Sequence, residues 1–143
     1  MKPLTQQQLA FLEKNRAAAM ITPAANGIPR AVRVGIALVD GKLWSSGTQD
    51  RVRTDRLRHN PICTLFVFDN TYNYLTLETR VTLIEGDSVP EKSMHMFRLM
   101  QNRPTGNLSW FGKDMTSEDF LRAMVAEKRL IYEFDITRAY GMV

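Results

Sequence analysis

The sequence has one cysteine, Cys63, only two histidines, and no long apolar run. A lone cysteine excludes an internal disulfide and any zinc cluster built on thiolates. His59 and His95 stand apart and off metal-ligand spacing, so no metal site is expected. No segment approaches the roughly 18 consecutive apolar residues that mark a membrane span, so no membrane partner is expected. The leading Met1-Lys2-Pro3-Leu4-Thr5 runs into glutamines without the apolar core of a signal peptide, which makes the chain an expected cytoplasmic protein. Glycine and proline are scarce, 8 and 6 in 143 residues, which excludes collagen-like and low-complexity chains. A Ser-centred nucleophile elbow is missing, and Gly112-Lys113 lacks the rest of a P-loop. No residue is assigned as catalytic.

What is present suits a single domain over residues 1–143, with 44% hydrophobic and 24% charged residues. The net charge is +4, and its distribution says more than its total. Between Asp50 and Asn60 lie Arg51, Arg53, Arg56 and Arg58, against only Asp50 and Asp55. This is the densest basic stretch in the chain.

Local patterns predict the elements. Thr5 and Gln8 form a capping box that opens a short helix carrying Leu9 and Leu12. Residues 17–24 are small and apolar, and Asn26-Gly27 is a hairpin signal. A strand over 29–39 follows, with Val32, Val34, Ile36 and Leu38 on one face. Asp40-Gly41 marks a second tight turn into a strand over 42–47. The basic segment reads as a surface helix that ends at Asn60, because Pro61 disfavours helix in the residue before it. Its Thr54 and Leu57 share one edge and point at the core.

Residues 62–68 are apolar at nearly every position, the pattern of a strand buried on both sides. Residues 74–84 alternate, with Leu75, Leu77, Val81 and Leu83 facing one way. Helices are expected from Val89 to about Met100 and from Ser117 to Ala126, and a last strand over 129–134. The expected fold is mainly β (α+β): a six-stranded antiparallel barrel with a few peripheral helices. Closing the barrel removes edges that would otherwise invite aggregation.

The segment Trp44-Ser45-Ser46-Gly47-Thr48-Gln49-Asp50-Arg51-Val52-Arg53-Thr54 carries the chemical signal. A strand ends in hydroxyl residues, turns at glycine, and enters a helix bearing arginines at its start. Helix N-termini present unpaired amides and a positive dipole end, and guanidinium forks bind phosphate oxygens. The competing reading is a solvated helix on which Arg51 pairs with Asp55 one turn on. Nucleic-acid binding would call for interleaved aromatics, and the stretch 51–61 contains none besides His59, so no nucleic-acid partner is expected.

These pieces, in this order, resemble the pyridoxamine 5'-phosphate oxidase-like split-barrel family. Within it they resemble the deazaflavin-dependent reductases that use coenzyme F420. The resemblance rests on Ala18-Ala19-Met20-Ile21-Thr22 before Asn26-Gly27-Ile28-Pro29-Arg30, and on residues 53–61, Arg-Thr-Asp-Arg-Leu-Arg-His-Asn-Pro. Tyr74-Leu75-Thr76-Leu77-Glu78, Arg129-Leu130-Ile131-Tyr132 and Ala139-Tyr140-Gly141 complete it.

The resemblance implies a split β-barrel flavoprotein: an F420- or FMN-dependent oxidoreductase that reduces a small unsaturated or quinone-like molecule. The cofactor is coenzyme F420, with FMN the alternative and other ligands such as haem behind both. A cofactor carrier without catalysis shares the same site. The implied cofactor-binding residues are Arg51 and Arg53 at the phosphate, Ser46, Gly47 and Thr48 beside the ring and its chain, and Arg33 and Val34 along the ring. Thr54 belongs to the same segment, and Tyr74 enters from the partner of a homodimer. Two positions depart from the family pattern: Thr79 stands where glycine is common, and Arg56, standing where asparagine is common, adds charge near the phosphate. Exposed Tyr72, Tyr74, Trp110 and the Met-rich helix are the expected dimer surface.

Overall fold

A computed structural model describes residues 2–143; Met1, the start of the leading segment, lies outside the described residues. The six expected strands are present as β1 (Ala17–Thr22), a second strand in two pieces, β2 (Arg30–Gly35) and β3 (Ala37–Val39), then β4 (Lys42–Thr48), β5 (Ile62–Phe68), β6 (Tyr74–Ile84) and β9 (Arg129–Met142). They form one antiparallel sheet in the order β2-β1-β5-β6-β9-β4-β3. Its two edges, β2 and β3, are halves of one segment joined at Ile36. The sheet therefore curls on itself into a split barrel.

The expected strand over 29–39 breaks where it crosses from one edge to the other. The Ile36 amide, lost to the ladder there, donates to the Arg16 carbonyl at 2.9 Å. Ser45 Oγ donates to the Gly35 carbonyl at 2.6 Å and ties β4 across the split. The Asp40-Gly41 turn is as expected: both residues have positive φ (51° and 80°), the geometry of a two-residue type I′ hairpin. Asn26-Gly27 also turns the chain, but inside a longer loop, because β1 already ends at Thr22.

Four helices pack around the sheet: α1 (Gln6–Lys14), α2 (Val52–His59), α3 (Val89–Gln101) and α4 (Ser117–Ala126). The capping box of α1 is formed, with the Gln8 amide on Thr5 Oγ1 at 3.1 Å and the Thr5 amide on Gln8 Oε1 at 3.0 Å. A hairpin that the sequence pattern does not announce, β7 (Leu108–Trp110) and β8 (Lys113–Met115), turns at Phe111-Gly112. A phenylalanine at φ 49° is rare in such a turn, which hid the signal.

The barrel interior holds Met20, Val34, Ile36, Leu43, Leu65, Leu77 and Tyr132, with Leu38 packed against it. Val32, expected on the same face, is exposed instead. Ala37, Val39, Trp44 and Ile131 turn outward and are covered by Met96 of α3. Strand β5 departs from expectation. Cys63, Leu65 and Val67 fill the interior, but no helix covers the outer face, leaving Ile62 52% and Phe68 60% exposed. Burial pushes the Cys63 thiol up to about 12, the behaviour of a small core hydrophobe.

Strand β9 also runs past its expected end at Phe134 to Met142, because the long β6 pairs with it throughout. Glu78 faces Arg138 while Thr79 faces Ile136, so Thr137 is an extra bulge residue that scrambles the alternation. Thr79, the first departure from the family pattern, is buried and donates to the Cys63 carbonyl at 2.8 Å.

Candidate functional site: an arginine-lined cleft

Strand β4 ends in Ser45-Ser46-Gly47-Thr48 and passes through a tight turn into α2. Thr48 Oγ1 donates to Asp50 Oδ1 at 2.7 Å and accepts from Arg51 Nε at 3.3 Å. That hydroxyl also holds the Asp50 carboxyl below its usual range. Arg51 is the N-cap residue of α2 and offers no side-chain cap. The helix is held down from inside: Leu57 and Thr54 are buried, and Thr54 Oγ1 donates to the Thr48 carbonyl at 2.7 Å while meeting the Tyr132 hydroxyl.

The turn delivers arginines to a cleft of about 250 Å³ between the barrel split and α3. Arg33, Arg51, Arg53 and Arg129 line it. The β2 and β4 segments contribute Val34, Gly35, Ser45 and Ser46. The opposite wall is apolar, formed by Phe97, Met100, Trp110 and Phe111. Strand ends thus supply polar groups, while α3 and the β7–β8 hairpin supply flat hydrophobic surface.

Two atoms in this cleft lack partners. Ser46 Oγ and Arg53 Nε are buried with no hydrogen bond. Leaving such a group unsatisfied costs about 1–3 kcal/mol, more if charged, which a bound acceptor removes. Arg53 also lies over the Tyr132 ring at 5.8 Å. Burial holds its guanidinium below the usual arginine range, and neighbouring Arg51 acts in the same direction. Arginine nevertheless stays protonated, and among the described residues no carboxylate forms an ion pair with Arg53. An anion with several acceptor oxygens fits this set.

The sequence-derived residues divide into two groups. Arg33, Val34, Ser46, Arg51 and Arg53 come together in the cleft. Gly47, Thr48 and Thr54 lie beneath it: Gly47 abuts the Tyr132 ring so closely that a Cβ would overlap it, and Thr54 has no exposed surface. Thr54 is buried beneath the cleft, where its hydroxyl fixes α2. Tyr74 lies on the outer face of β6 beside Phe66, ring centres 5.5 Å apart, and does not line the cleft of its own chain.

Other expectations are also revised. Asp55 faces His59 at 3.8 Å, and Arg51 contacts Thr48 in place of the Asp55 pairing. Arg56 lines a separate groove beside Pro23, so it adds no charge to the cleft. Trp110 is half-buried and Met96 is fully covered, so neither marks a free surface. Among the described residues no cluster of His, Cys, Asp and Glu is placed to hold a metal, and no helix is long and apolar enough to cross a membrane.

Sequence reasoning assigned no role to Arg129. It is only 8% exposed, and its Nε and Nη2 donate to Glu127 Oε1 at 2.9 and 2.7 Å. Its guanidinium stacks on Trp110 at 4.9 Å, and Trp110 Nε1 donates to Glu127 Oε2 at 2.8 Å. A signal was available, since an arginine opening the apolar run Leu130-Ile131-Tyr132 needs a buried partner.

Comparison with known proteins agrees with this architecture. A conserved hypothetical protein from Mycobacterium tuberculosis superposes with TM-score 0.73 at 17% identity, covering 98% of this chain and 85% of that one. An F420 reductase gives 0.66 at 19% identity, covering 97% and 98%. A heme storage protein from Vibrio cholerae gives 0.66 at 14% identity, covering 98% and 95%. At such identities the likeness is one of fold alone. No curated protein matches the sequence. The pyridoxamine 5'-phosphate oxidase family matches residues 4–142, nearly the full length over which the split barrel and its arginine cleft are built. On that match, the chain belongs to the pyridoxamine 5'-phosphate oxidase family.

Proposed function

We propose that this chain binds a flavin-type cofactor through its phosphate and acts as an oxidoreductase, with coenzyme F420 as the cofactor and FMN the alternative. The observation that carries this reading is the pair of buried, unpartnered atoms, Ser46 Oγ and Arg53 Nε, in a cleft lined by arginines beside a helix N-terminus. When bound, the cofactor supplies the hydride chemistry. Arg51 and Arg53 anchor the phosphate, Ser46 completes its hydrogen bonds, and the Phe97–Trp110 wall excludes water from the ring. The substrate is a small unsaturated or quinone-like molecule. His59 and His95 do not line the cleft of their own chain.

The site is shared by two copies of the chain. About 250 Å³ falls below the roughly 300–1,000 Å³ of cofactor pockets. A larger apolar groove of about 520 Å³, lined by Ala19, Ala31, Val32 and Phe68, adjoins it through Arg33. Exposed Ile62, Phe68, Tyr72 and Tyr140 extend that apolar surface over the outer face of the sheet. A two-fold homodimer covers the face, enlarges the site and brings Tyr74 toward the other copy's cleft.

Adding FMN and coenzyme F420 separately to purified protein, then recording absorbance and bound mass, tests the cofactor assignment. Retention of neither ligand overturns it. Light scattering on the loaded protein should give the mass of a dimer; a monomer with cofactor bound contradicts the shared site. Turnover of a quinone by the reduced, loaded protein separates an enzyme from a carrier.

A further inference from the structure

The cleft holds more positive charge than one phosphate needs. A phosphate monoester carries about −1.5 to −2. Arg51 and Arg53, with Ser46 and the first amides of α2, already suffice for it. Arg33 lines the same cleft in addition, as does Arg129, whose charge Glu127 answers. The carboxylate bonded to Arg129, that of Glu127, does not line the cleft.

Arg129 is built in, not draped over the surface. Glu127 takes its Nε and Nη2 on one oxygen and the Trp110 indole on the other, and Trp110 lies against the guanidinium plane. Two side chains, from β7 and the end of α4, therefore fix one cation of β9, whose Nη1 makes no hydrogen bond among the described residues. A structural ion pair has no need to line a cleft beside three further arginines. Such preorganisation suits an arginine that receives a planar anionic group.

We propose that Arg129, oriented by Glu127 and Trp110 and assisted by Arg33, binds a second anionic group, a carboxylate or phosphate distinct from the one held by Arg51 and Arg53. The inference rests on the cofactor reading above. The second anion comes either from a charged tail on the cofactor or from an acidic substrate, and both present the same chemistry to the guanidinium.

Calorimetry on the purified protein tests this with three probes. The first is a deazaflavin bearing only its 5'-phosphate, the second is coenzyme F420 with its carboxylate tail, and the third is succinate added to FMN-loaded protein. Two variants are compared with wild type: Arg129→Lys, which keeps the charge but loses the fork, and the double variant Arg129→Met with Glu127→Gln, which leaves no unpaired buried carboxylate. The double variant should weaken binding of coenzyme F420, or of succinate, about 10- to 150-fold, and Arg129→Lys by a smaller factor. Each should change affinity for the monophosphate less than about threefold. Loss confined to F420 assigns the second anion to the cofactor; loss confined to succinate assigns it to the substrate.

Equal losses for all probes, or none for any, overturn the proposal. So does a failure of F420 to bind more tightly than the monophosphate when succinate does not bind at all. Arg53→Ala keeps the two readings apart. If it leaves every cofactor affinity intact, the phosphate reading fails. If it weakens all cofactors while the Arg129 variants show no selectivity, only the second-anion site falls.

Discussion

Arg53 and Arg58 lie on the same short helix, and their surroundings differ in every respect that bears on binding. Arg58 faces away from the cleft and forms a two-pronged pair with Glu85, its Nη1 on Oε2 at 3.0 Å and its Nη2 on Oε1. Its charge is answered within the chain, and the hydrogen bond to Glu85 raises its pKa. Arg53 faces the cleft, half-buried over an aromatic ring, with a buried Nε and no acceptor. Identical side chains on one helix are thus paired within the chain at one end and left facing the cleft at the other. Local charge density does not separate these roles. On this helix the counter-charge from Glu85 does.

The largest expected effect comes from the residue that holds both arginines in place. Leu57 is 3% exposed and belongs to the barrel core. Leu57→Ala should destabilise the fold by about 2–5 kcal/mol, read as a lowered denaturation midpoint. Cofactor affinity measured well below that midpoint should hold to within a few-fold. An unchanged midpoint would mean that α2 is not seated through this side chain.

Next in size is the arginine contrast itself. Arg53→Ala should weaken cofactor binding about 10- to 150-fold by calorimetry, the equivalent of losing charge-assisted bonds to phosphate. Arg53→Lys should restore part of it, since lysine keeps the charge but not the fork. Arg58→Ala should stay within about twofold of wild type, because Glu85 already occupies that guanidinium. A dephosphorylated cofactor should bind weakly and be indifferent to Arg53→Ala. Equal losses from the two alanine variants would reduce the arginines to a diffuse basic surface and erase the contrast.

The smallest effect sharpens the structural half of the comparison. Arg58 holds the Glu85 carboxyl below its usual range. A depressed folded-state pKa stabilises the fold above the unfolded value, about 4.3 for glutamate, and that contribution fades as pH falls through the lower folded value. Arg58→Ala should therefore lower the melting point slightly at pH 7, and the difference should shrink toward zero in acid. The pair is half-exposed, so salt screening should reduce the effect as well. A difference that grows on acidification would contradict this pairing.

Much of the fold was legible because local rules wrote it. The Thr5–Gln8 box, the Asp40-Gly41 turn, the helix stopped before Pro61 and the alternation in β6 each depend on a few neighbouring residues. Errors fell where distant pairing overrides the local pattern. The break at Ile36 exists because one strand must serve both edges of a curled sheet. The run of β9 past Phe134 exists because β6 is long enough to pair with it. A nearly all-apolar β5 signals contact on both faces, yet the chain alone fully buries only one.

The site divides along the same line. Sequence alone determined that Arg51 and Arg53 stand at a strand-to-helix turn behind two serines, since these are neighbours along the chain and the turn chemistry is local. It also determined that no thiolate cluster or disulfide takes part, because a single cysteine cannot form one. Only the tertiary structure brought in Arg129 from β9, joined Arg33 of β2 to the arginines of the turn, and set Thr54 beneath the cleft and Arg56 beside a separate groove. Only it showed which guanidinium has a carboxylate within reach. A counter-ion is selected by distance in space, and Glu85 and Glu127 reach their arginines through sheet curvature and helix packing that no short stretch of sequence encodes.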